Sequence, residues 1–482
     1  MSAPLIWIGI PVAIAGVLYV LRGLHTLTFI SGLLLSSWLW IAAWLLPIGE
    51  AVTLGGRTFR ISESFSILGR EFILLDSDRG LLVLVYFALM VWIIGSWFAR
   101  PGAGFIPFAF TISALLIGAL AVEPFLYAAL LIELSVLISV PMLSPPQQTP
   151  GRGIFRFLAF QTLGMPFILL AGWFLTGLEA SPGQSDLVLR AGLLIGIGLS
   201  FLLALVPFHS WVPQLAEESH PYTAAFLLFM LSSMISIFGL GFLDRFIWLR
   251  ESETVYFGLR VVGTLMLLVG GAWGAVEKHL GRTLGHLSIA ETGISLLAVG
   301  IGSPAGVLIF FWLMVARLVA YVPLAAGISM IWEINDRELN LERLWGKGHQ
   351  FPLIAGLVVI GQFSMVGIPL LVSFPARLAL WRVLAGVAPL IAAIAFLGNI
   401  GLLISAGRSL SALFVPFSGR DPHQVDTSGG IFAREGTLAS ERLFEWLVYL
   451  TMVIAINLFG LFPQVYLPWI EKLLLIFERI GG

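Results

Sequence analysis

The sequence predicts an all-α integral membrane protein with about fourteen transmembrane helices. Of its 482 residues, 59% are hydrophobic and 11% are charged, and the mean hydropathy is +0.99. Soluble domains carry about 25% charged residues, and a chain of this length cannot hide so much apolar surface in a water-soluble core. The excess apolar surface must therefore face lipid.

The individual spans follow from apolar runs, because a membrane helix needs about 20 mostly apolar residues. These runs are continuous rather than alternating, which is typical of helices. The predicted spans are 4–21, 27–47, 81–99, 104–121, 124–143, 155–176, 188–206, 221–242, 256–275, 283–301, 305–332, 352–373, 383–413 and 443–462.

Four polar segments separate or follow the spans, at 48–80, 333–350, 414–442 and 464–480. The first three are expected at the membrane surfaces, with a short interfacial helix in 333–350. The last segment, QVYLPWIEKLLLIFERI, is amphipathic and is expected to lie on the membrane rather than to cross it.

The composition excludes several classes of function. Cysteine is absent, so disulfides, thiolate-bound iron–sulfur clusters and cysteine zinc sites are excluded. The net charge of −1 provides no footprint for nucleic acid. No glycine-rich loop follows a predicted strand, so no nucleotide site is expected. The chain is therefore expected to hold no cofactor.

Few ionisable side chains fall within the spans or at their ends. The candidate functional residues among them are Glu133, His209, His286, Glu291, Arg317 and Arg377. Such groups are costly in a bilayer and usually face the bundle interior or a water-filled path. Each charged residue is thus either part of a proton path or part of a structural ion pair between helices. For His286, near a span end, a simple interfacial position is an equal alternative.

Two spans carry internal helix breakers. One break lies in VPFHSWVP, which begins at Val206, and the other in GIPLLVSFP, which begins at Gly367. Proline removes a backbone donor and disrupts a helix. Non-helical backbone at membrane depth persists only where protein or water covers it. Paired broken helices in the two halves of a chain indicate inverted repeats around an ion path.

These motifs together resemble the antiporter-like subunits of respiratory complex I. The resemblance rests on PFHSW-VP, on RTLGHLSIAETG at span ten and on GIPLLVSFPAR in span twelve. It covers spans four to thirteen. The same family serves membrane-bound hydrogenases, multisubunit cation/proton antiporters and certain inorganic-carbon uptake systems.

The resemblance implies two inverted five-helix repeats with broken helices in spans seven and twelve. The chain then divides into an N-terminal three-helix region, two repeats and a C-terminal part. The bounds are 1–103, 104–243, 244–413 and 414–482, the last comprising the polar loop, the final span and the amphipathic helix. VPFHSWVP would be the exit of the broken seventh helix, and AEESHP the turn into the eighth.

Family members carry a glutamate in span five, lysines in spans seven and eight, and a lysine or glutamate in span twelve. The resemblance places Glu133, Leu202, Ser233 or Met234, and Arg377 at these positions, with Arg317 close to a span-eleven lysine. The three lysines present all lie outside the spans, at Lys278, Lys347 and Lys472. Arginine does not release its proton, so the implied path is lysine-poor. Glu133 is expected to face the interior beside the broken seventh helix.

The resemblance implies an ion-translocating subunit of a complex I-like NADH/quinone or hydrogenase-type oxidoreductase, with the proton as the expected ion. Other membrane subunits, redox or hydratase partners and the bilayer would surround it, in a prokaryotic inner membrane or an equivalent energy-coupling membrane. Three alternatives remain open. The chain is a structural subunit that has lost pumping, a membrane subunit of an inorganic-carbon uptake complex, or a secondary transporter of small solutes.

Overall fold

The computed structural model describes residues 2–54, 57–67, 69–144, 151–180, 185–415, 439–477 and 479–480. These residues are mostly helical. The polar segment predicted at 414–442 lies largely outside the described residues.

The N-terminal region is helical at both ends and contains strands between them. A π-helical turn, Leu5–Gly9, leads directly into the first α-helix. The helices and strands are α1 (Ile10–Val20), α2 (His25–Leu45), β1 (Ala51–Leu54), β2 (Arg57–Arg60), β3 (Ser64–Ile67), β4 (Arg70–Ile73) and α3 (Arg79–Ala99). The all-α prediction missed these strands, which form antiparallel hairpins. The segment SFSI of β3 alternates polar with apolar side chains, a strand signal.

The first half of the molecule continues with six helices and one short strand, β5 (Val122–Glu123), which pairs with β4. The helices are α4 (Phe105–Ala121), α5 (Ala128–Leu143), α6 (Arg152–Ala180), α7 (Ser185–Leu202), α8 (Trp211–Glu218) and α9 (Pro221–Arg245).

The second half repeats this order of long and interrupted helices. Its elements are α10 (Ile247–Arg250), α11 (Glu253–Val276), α12 (Leu280–Val299), α13 (Pro304–Ile334), α14 (Leu341–Leu344), α15 (Pro352–Val366), α16 (Ser373–Val387) and α17 (Pro389–Phe414). The short α14 is the helix expected in 333–350. The predicted bounds of the two repeats stay a prediction.

The C-terminal part contains α18 (Ala439–Leu461) and α19 (Leu467–Glu471). A 3-10 turn, Lys472–Ile476, follows α19. The single amphipathic helix expected over 464–480 is therefore wrong. Its apolar residues Ile470 and Leu473 are buried against the protein, and Leu473 packs on Gly80 at the start of α3. These buried residues attach the segment to the helical bundle.

The helices have membrane dimensions. Eight helical segments of the described chain are long and apolar enough to cross a bilayer, and five more apolar segments are shorter. The chain is an integral membrane protein of the predicted helical class. The exact number of fourteen spans stays a prediction, because several helices are interrupted or short. Most of α9 and α13 is buried, so these two helices form the centre of the bundle.

The first predicted break is confirmed. Helix α7 ends at Leu202, Ala204 adopts a positive φ of 52°, and a 3-10 turn at Phe208–Ser210 precedes α8. The stretch AEESHP is not the expected turn. Its first three residues complete α8, which ends at Glu218, so the polypeptide after the break remains helical for two further turns.

The second predicted break is also confirmed. Helix α15 ends at Val366, and Gly367 follows with φ of 86°. Pro369 cannot donate a backbone hydrogen bond, and Leu370 has a positive φ of 74°. The chain resumes as α16 at Ser373. The non-helical segment thus separates two 15-residue helices.

Candidate functional site

A buried ion pair lies beside the second break. Glu291 on α12 accepts a hydrogen bond from Nη2 of Arg377 on α16. The two residues are only 4% and 2% exposed. Residue 291 lies near the middle of α12, and residue 377 lies in the first turns after the break. The interruption therefore brings a guanidinium from a new helix to a carboxylate deep in the bundle.

Asn399 on α17 completes this cluster and was missed by sequence reasoning. Arg377 Nη1 donates to Asn399 Oδ1 at 2.7 Å, and Asn399 Nδ2 donates to the Val366 carbonyl at 3.2 Å. Carbonyls in the last turn of a helix lack intrahelical partners. Asn399 therefore links the end of α15 to the ion pair. Its only sequence signal was an amide within an apolar run.

Gly367 makes the close approach of Arg377 possible. A Cβ atom at this position would collide with Cδ of Arg377, and the positive φ of Gly367 also favours glycine. The break and the position of the guanidinium are therefore structurally coupled.

A second buried guanidinium lies near the pair. Arg317 on α13 is 4% exposed, and its Nη2 donates to the Leu228 carbonyl at 3.3 Å and to Ser288 Oγ at 3.4 Å. The rings of Phe229 and Tyr321 lie 5.5 and 5.6 Å from its guanidinium carbon. Among the described residues, no carboxylate lies within ion-pair distance of Arg317. Ring faces and neutral acceptors surround this cation.

The predicted histidines lie where the two halves meet. His286 on α12 is buried, with Nε2 3.6 Å from Glu277 Oε2. His209 lies in the turn of the first break, close enough to His286 to act on it electrostatically. Nearby, Arg282 of α12 binds Glu217 of α8 at 2.6 Å. An ion pair thus joins the two halves beside the histidines.

Among the described residues, the first break has no buried ion pair. Leu202 occupies the position where a lysine was expected, and its side chain packs against Gly164 of α6. Gln161 Nε2 donates to the Leu202 carbonyl at 3.0 Å. Ser233 and Met234, at the other expected lysine position, are buried on α9. Apolar and neutral groups therefore fill this region.

A small cavity connects the first break with the second half. Its volume is about 20 Å³, enough for one water molecule. Its lining includes Gln161, Leu202 and Ser232 from the first half, and Ser288 and Thr292 from the second. Ser288 is also an acceptor for Arg317. This cavity thus approaches the cationic side of the candidate site.

Glu133 lies apart from the other candidates. It is half-buried on α5, and its Oε1 accepts a hydrogen bond from Thr162 Oγ1 of α6 at 2.7 Å. Its hydrogen-bond partner thus lies on α6, and the expected position beside the broken seventh helix stays a prediction. A serine or threonine hydroxyl satisfies a carboxylate without a buried counter-charge.

The structure brings together Glu291 and Arg377, with Arg317 close by, and places His209 near His286. In the described part of the chain, no cluster of three or more histidines and carboxylates could hold a metal ion.

Part of the chain matches a known protein family, and several curated proteins are similar to it. Residues 177–402 match the family described as NADH:quinone oxidoreductase/Mrp antiporter, transmembrane. NADH-quinone oxidoreductase subunit N of Acidithiobacillus ferrooxidans is 30% identical over 196 residues, which is 39% of each chain. Subunit 13 of the Thermus thermophilus NADH-quinone oxidoreductase is 24% identical over 84% of this chain and 85% of that one.

Solved structures show the same fold. A chain of respiratory complex I from Thermus thermophilus with bound NADH superposes with a TM-score of 0.75, at 21% identity, covering 99% of each chain. A chain of the archaeal membrane-bound sulfane sulfur reductase gives a TM-score of 0.77 at 15% identity, covering 100% and 98%. A chain of the Mrp complex from Dietzia sp. gives a TM-score of 0.66 at 17% identity, covering 100% of this chain and 99% of that one.

Proposed function

We propose that this chain, an antiporter-like integral membrane protein similar to NADH-quinone oxidoreductase subunits N and 13, translocates ions, most simply protons, within a larger membrane complex. Its relatives are named as subunits of oxidoreductases, and its structural neighbours belong to complex I, a sulfane sulfur reductase and an Mrp complex. We accordingly propose that other membrane subunits are its partners and that redox centres reside in them.

The buried Glu291–Arg377 pair at the second break is the observation that carries this proposal. Glu291 can exchange a proton, whereas arginine stays charged at every accessible pH. Protonation of Glu291 would remove the negative partner and weaken the pair. Asn399 would then keep Arg377 at the break. The carboxylate is therefore the proton-binding group, and the guanidinium is its electrostatic control.

Arg317 adds to this control. With Glu291 and Arg377, it gives the buried cluster two cations and one anion. An excess positive charge in a low-dielectric interior opposes the approach of another cation. We propose that a proton reaches Glu291 as part of a hydrogen-bonded chain, while metal cations are repelled.

The polar groups at the junction of the halves supply a route toward this centre. His286, Glu277 and His209 lie at the surface end of α12 and at the first break. Ser288 lies three residues before Glu291 on α12, about one helical turn away. The chain order His286, Ser288, Glu291 along this helix supports a transfer from the junction toward Glu291.

Proton uptake by vesicles that contain the assembled complex tests the proposal. Glu291→Gln keeps the shape and removes the titratable group, so uptake should fall by about tenfold or more, in keeping with loss of a positioned proton carrier. Glu342→Gln is the matched control, because Glu342 forms an exposed pair with Lys278. Normal uptake by an assembled Glu291→Gln complex would contradict the proposal.

A structural role without pumping is the second candidate, and the first break favours it. Leu202 and Gly164 pack together there, at a position where a lysine was expected. A subunit of this kind would transmit movement between neighbours through packed helices. In that case Glu291→Gln would reduce stability and leave proton uptake per turnover of the complex unchanged.

A further inference from the structure

A groove on the outer surface of the bundle lies beneath the second break. Its volume is about 500 Å³, within the range of ligand pockets. It is bounded by the break itself, by α16, by α13 and by the end of α18. Trp312 lines the groove from α13, and Leu461 lines it from the end of α18.

The lining of this groove is almost entirely apolar. Leu370 in the break is 62% exposed, and Leu378 on α16 is 47% exposed. The polar exceptions are the side chains of Arg382 and Gln464. No acidic side chain lines the groove, and no ion pair or hydrogen bond of Arg382 is recorded within the described ranges. The groove therefore combines exposed hydrocarbon with one uncompensated cation.

The end of α18 places the groove at the level of the lipid headgroups. Tyr466 and Trp469 follow this end, and tyrosine and tryptophan concentrate at membrane–water interfaces. Trp312 Nε1 donates to Tyr466 Oη at 2.9 Å, which ties the groove wall to this interfacial segment. A long arginine side chain at this depth can extend its guanidinium to the headgroups.

We propose that the groove binds one anionic phospholipid. An acyl chain would lie along Leu370 and Leu378, and the phosphate would pair with Arg382. Charge complementarity selects this occupant, since a zwitterionic lipid brings a compensating cation and a purely apolar partner helix leaves Arg382 unpaired. The proposal concerns lipid recognition and does not depend on proton translocation.

The bound lipid would cover the non-helical backbone between α15 and α16. Leu370 and Leu371 already pack against Gly460 of α18 on one side of this segment. A lipid in the groove would cover its outer side and separate it from bulk water. The break would then open only toward the protein interior.

Native mass spectrometry of the purified full-length protein tests this proposal with phosphatidylglycerol and phosphatidylcholine as probes. The parent should retain one tightly held phosphatidylglycerol, and Arg382→Gln should weaken this binding by about fivefold, the usual contribution of one basic residue at a membrane surface. Arg190→Gln removes an exposed arginine elsewhere and should bind like the parent.

A second variant separates shape from charge. Leu378→Trp fills the groove without changing charge and should also reduce retention of phosphatidylglycerol. Equal retention by the parent and Arg382→Gln would overturn the proposal, as would equal retention of phosphatidylcholine and phosphatidylglycerol by the parent. A partner helix seated in the groove in the assembled complex would overturn it as well.

Discussion

The two helix breaks differ in what surrounds them, although each interrupts a helix with proline nearby. The break after Leu202 is lined by that leucine, the glutamine amide of Gln161 and a small cavity. The break after Val366 is held by an asparagine that also binds a buried arginine–glutamate pair. Within the described residues, the second break has a buried ion pair, whereas the first has a histidine, His209, and no ion pair.

This difference shows that a helix break alone does not make an ion site. Broken helices expose backbone groups, and both breaks do so. Among the described residues, only the second break adds a buried ion pair, between the carboxylate of Glu291 and the fixed cation Arg377. We therefore assign the proton-binding step to the second half and a neutral connecting role to the first.

Removing Arg377 should have the largest effect on this comparison. Arg377→Leu leaves Glu291 buried without its cation, so unfolding free energy should fall by about 4 kcal/mol, in the range for a broken buried pair. The double variant Glu291→Gln/Arg377→Leu should lose less than the sum of the two single variants. Unfolding in detergent, followed by circular dichroism, measures these losses.

The exposed pair Lys278–Glu342 is the control for that cycle. Its side chains are 68% and 65% exposed, and pairs of this kind contribute about 0–1 kcal/mol. Additive losses at Glu291 and Arg377 would show that the two residues are not coupled, and would remove the contrast between the breaks.

Introducing a charge into the first break should have the next largest effect. Leu202→Lys places an amine in a buried, apolar position against Gly164. Burial disfavours the charged amine, and a neutral amine must first lose its proton. In either form the free energy of unfolding should fall by about 3 kcal/mol. Leu202→Met, which preserves volume and polarity, should cost less than about 1.5 kcal/mol. A Leu202→Lys protein as stable as Leu202→Met would show that this break already tolerates charge.

The sequence predicted both breaks, because proline and glycine act locally on the backbone. It also predicted Glu291 and Arg377 individually, since charged groups are rare within apolar runs. Their pairing was not predictable, because the sequence does not specify which helices meet. The same reason explains the missed role of Asn399, an amide whose importance comes only from its neighbours in space.

The strands between α2 and α3 were missed for another reason. The prediction there rested on charge alone, which indicates a surface but not its secondary structure. Arg70 illustrates this: it lies in β4, with its guanidinium carbon 3.7 Å from the ring centroid of Tyr127. Such a contact depends on tertiary structure rather than on the local pattern.

Acid should destabilise the junction between α8 and α9, where His220 lies, by less than the substitutions at Arg377 and Leu202 do. Burial first, and the charge of Arg337 in addition, lower the pKa of His220 from its usual 6.5 to about 4. The unfolded chain therefore binds this proton more readily than the folded one. The stability that the neutral His220 contributes is fully present above about pH 6.5, and it is lost as the pH falls toward 4.

His220→Phe removes this titration and keeps a ring against Trp332, whose ring centroid lies 5.0 Å away. The melting temperature of the variant should fall less than that of the parent between about pH 7 and pH 5. His25 is exposed, so His25→Phe should behave like the parent. Equal acid sensitivity of the parent and His220→Phe would contradict this assignment.

The smallest expected effect is at Glu133. Thr162→Val removes the hydroxyl that donates to this carboxylate, and should cost about 1 kcal/mol, the contribution of one hydrogen bond. Glu133→Gln should reduce proton uptake by the assembled complex less than Glu291→Gln does. A larger loss at Glu133 would move the main proton-binding step to the first half.

Proton uptake by reconstituted complexes with substitutions at Arg377 is the most direct test of the central claim. Arg377→Lys keeps a cation that can also titrate, so uptake should be preserved or increased. Arg377→Leu should assemble weakly or lose most of its uptake, because Glu291 then lacks its controlling charge. If Arg377→Leu assembles and takes up protons like the parent, the charged break is not the functional centre of this protein.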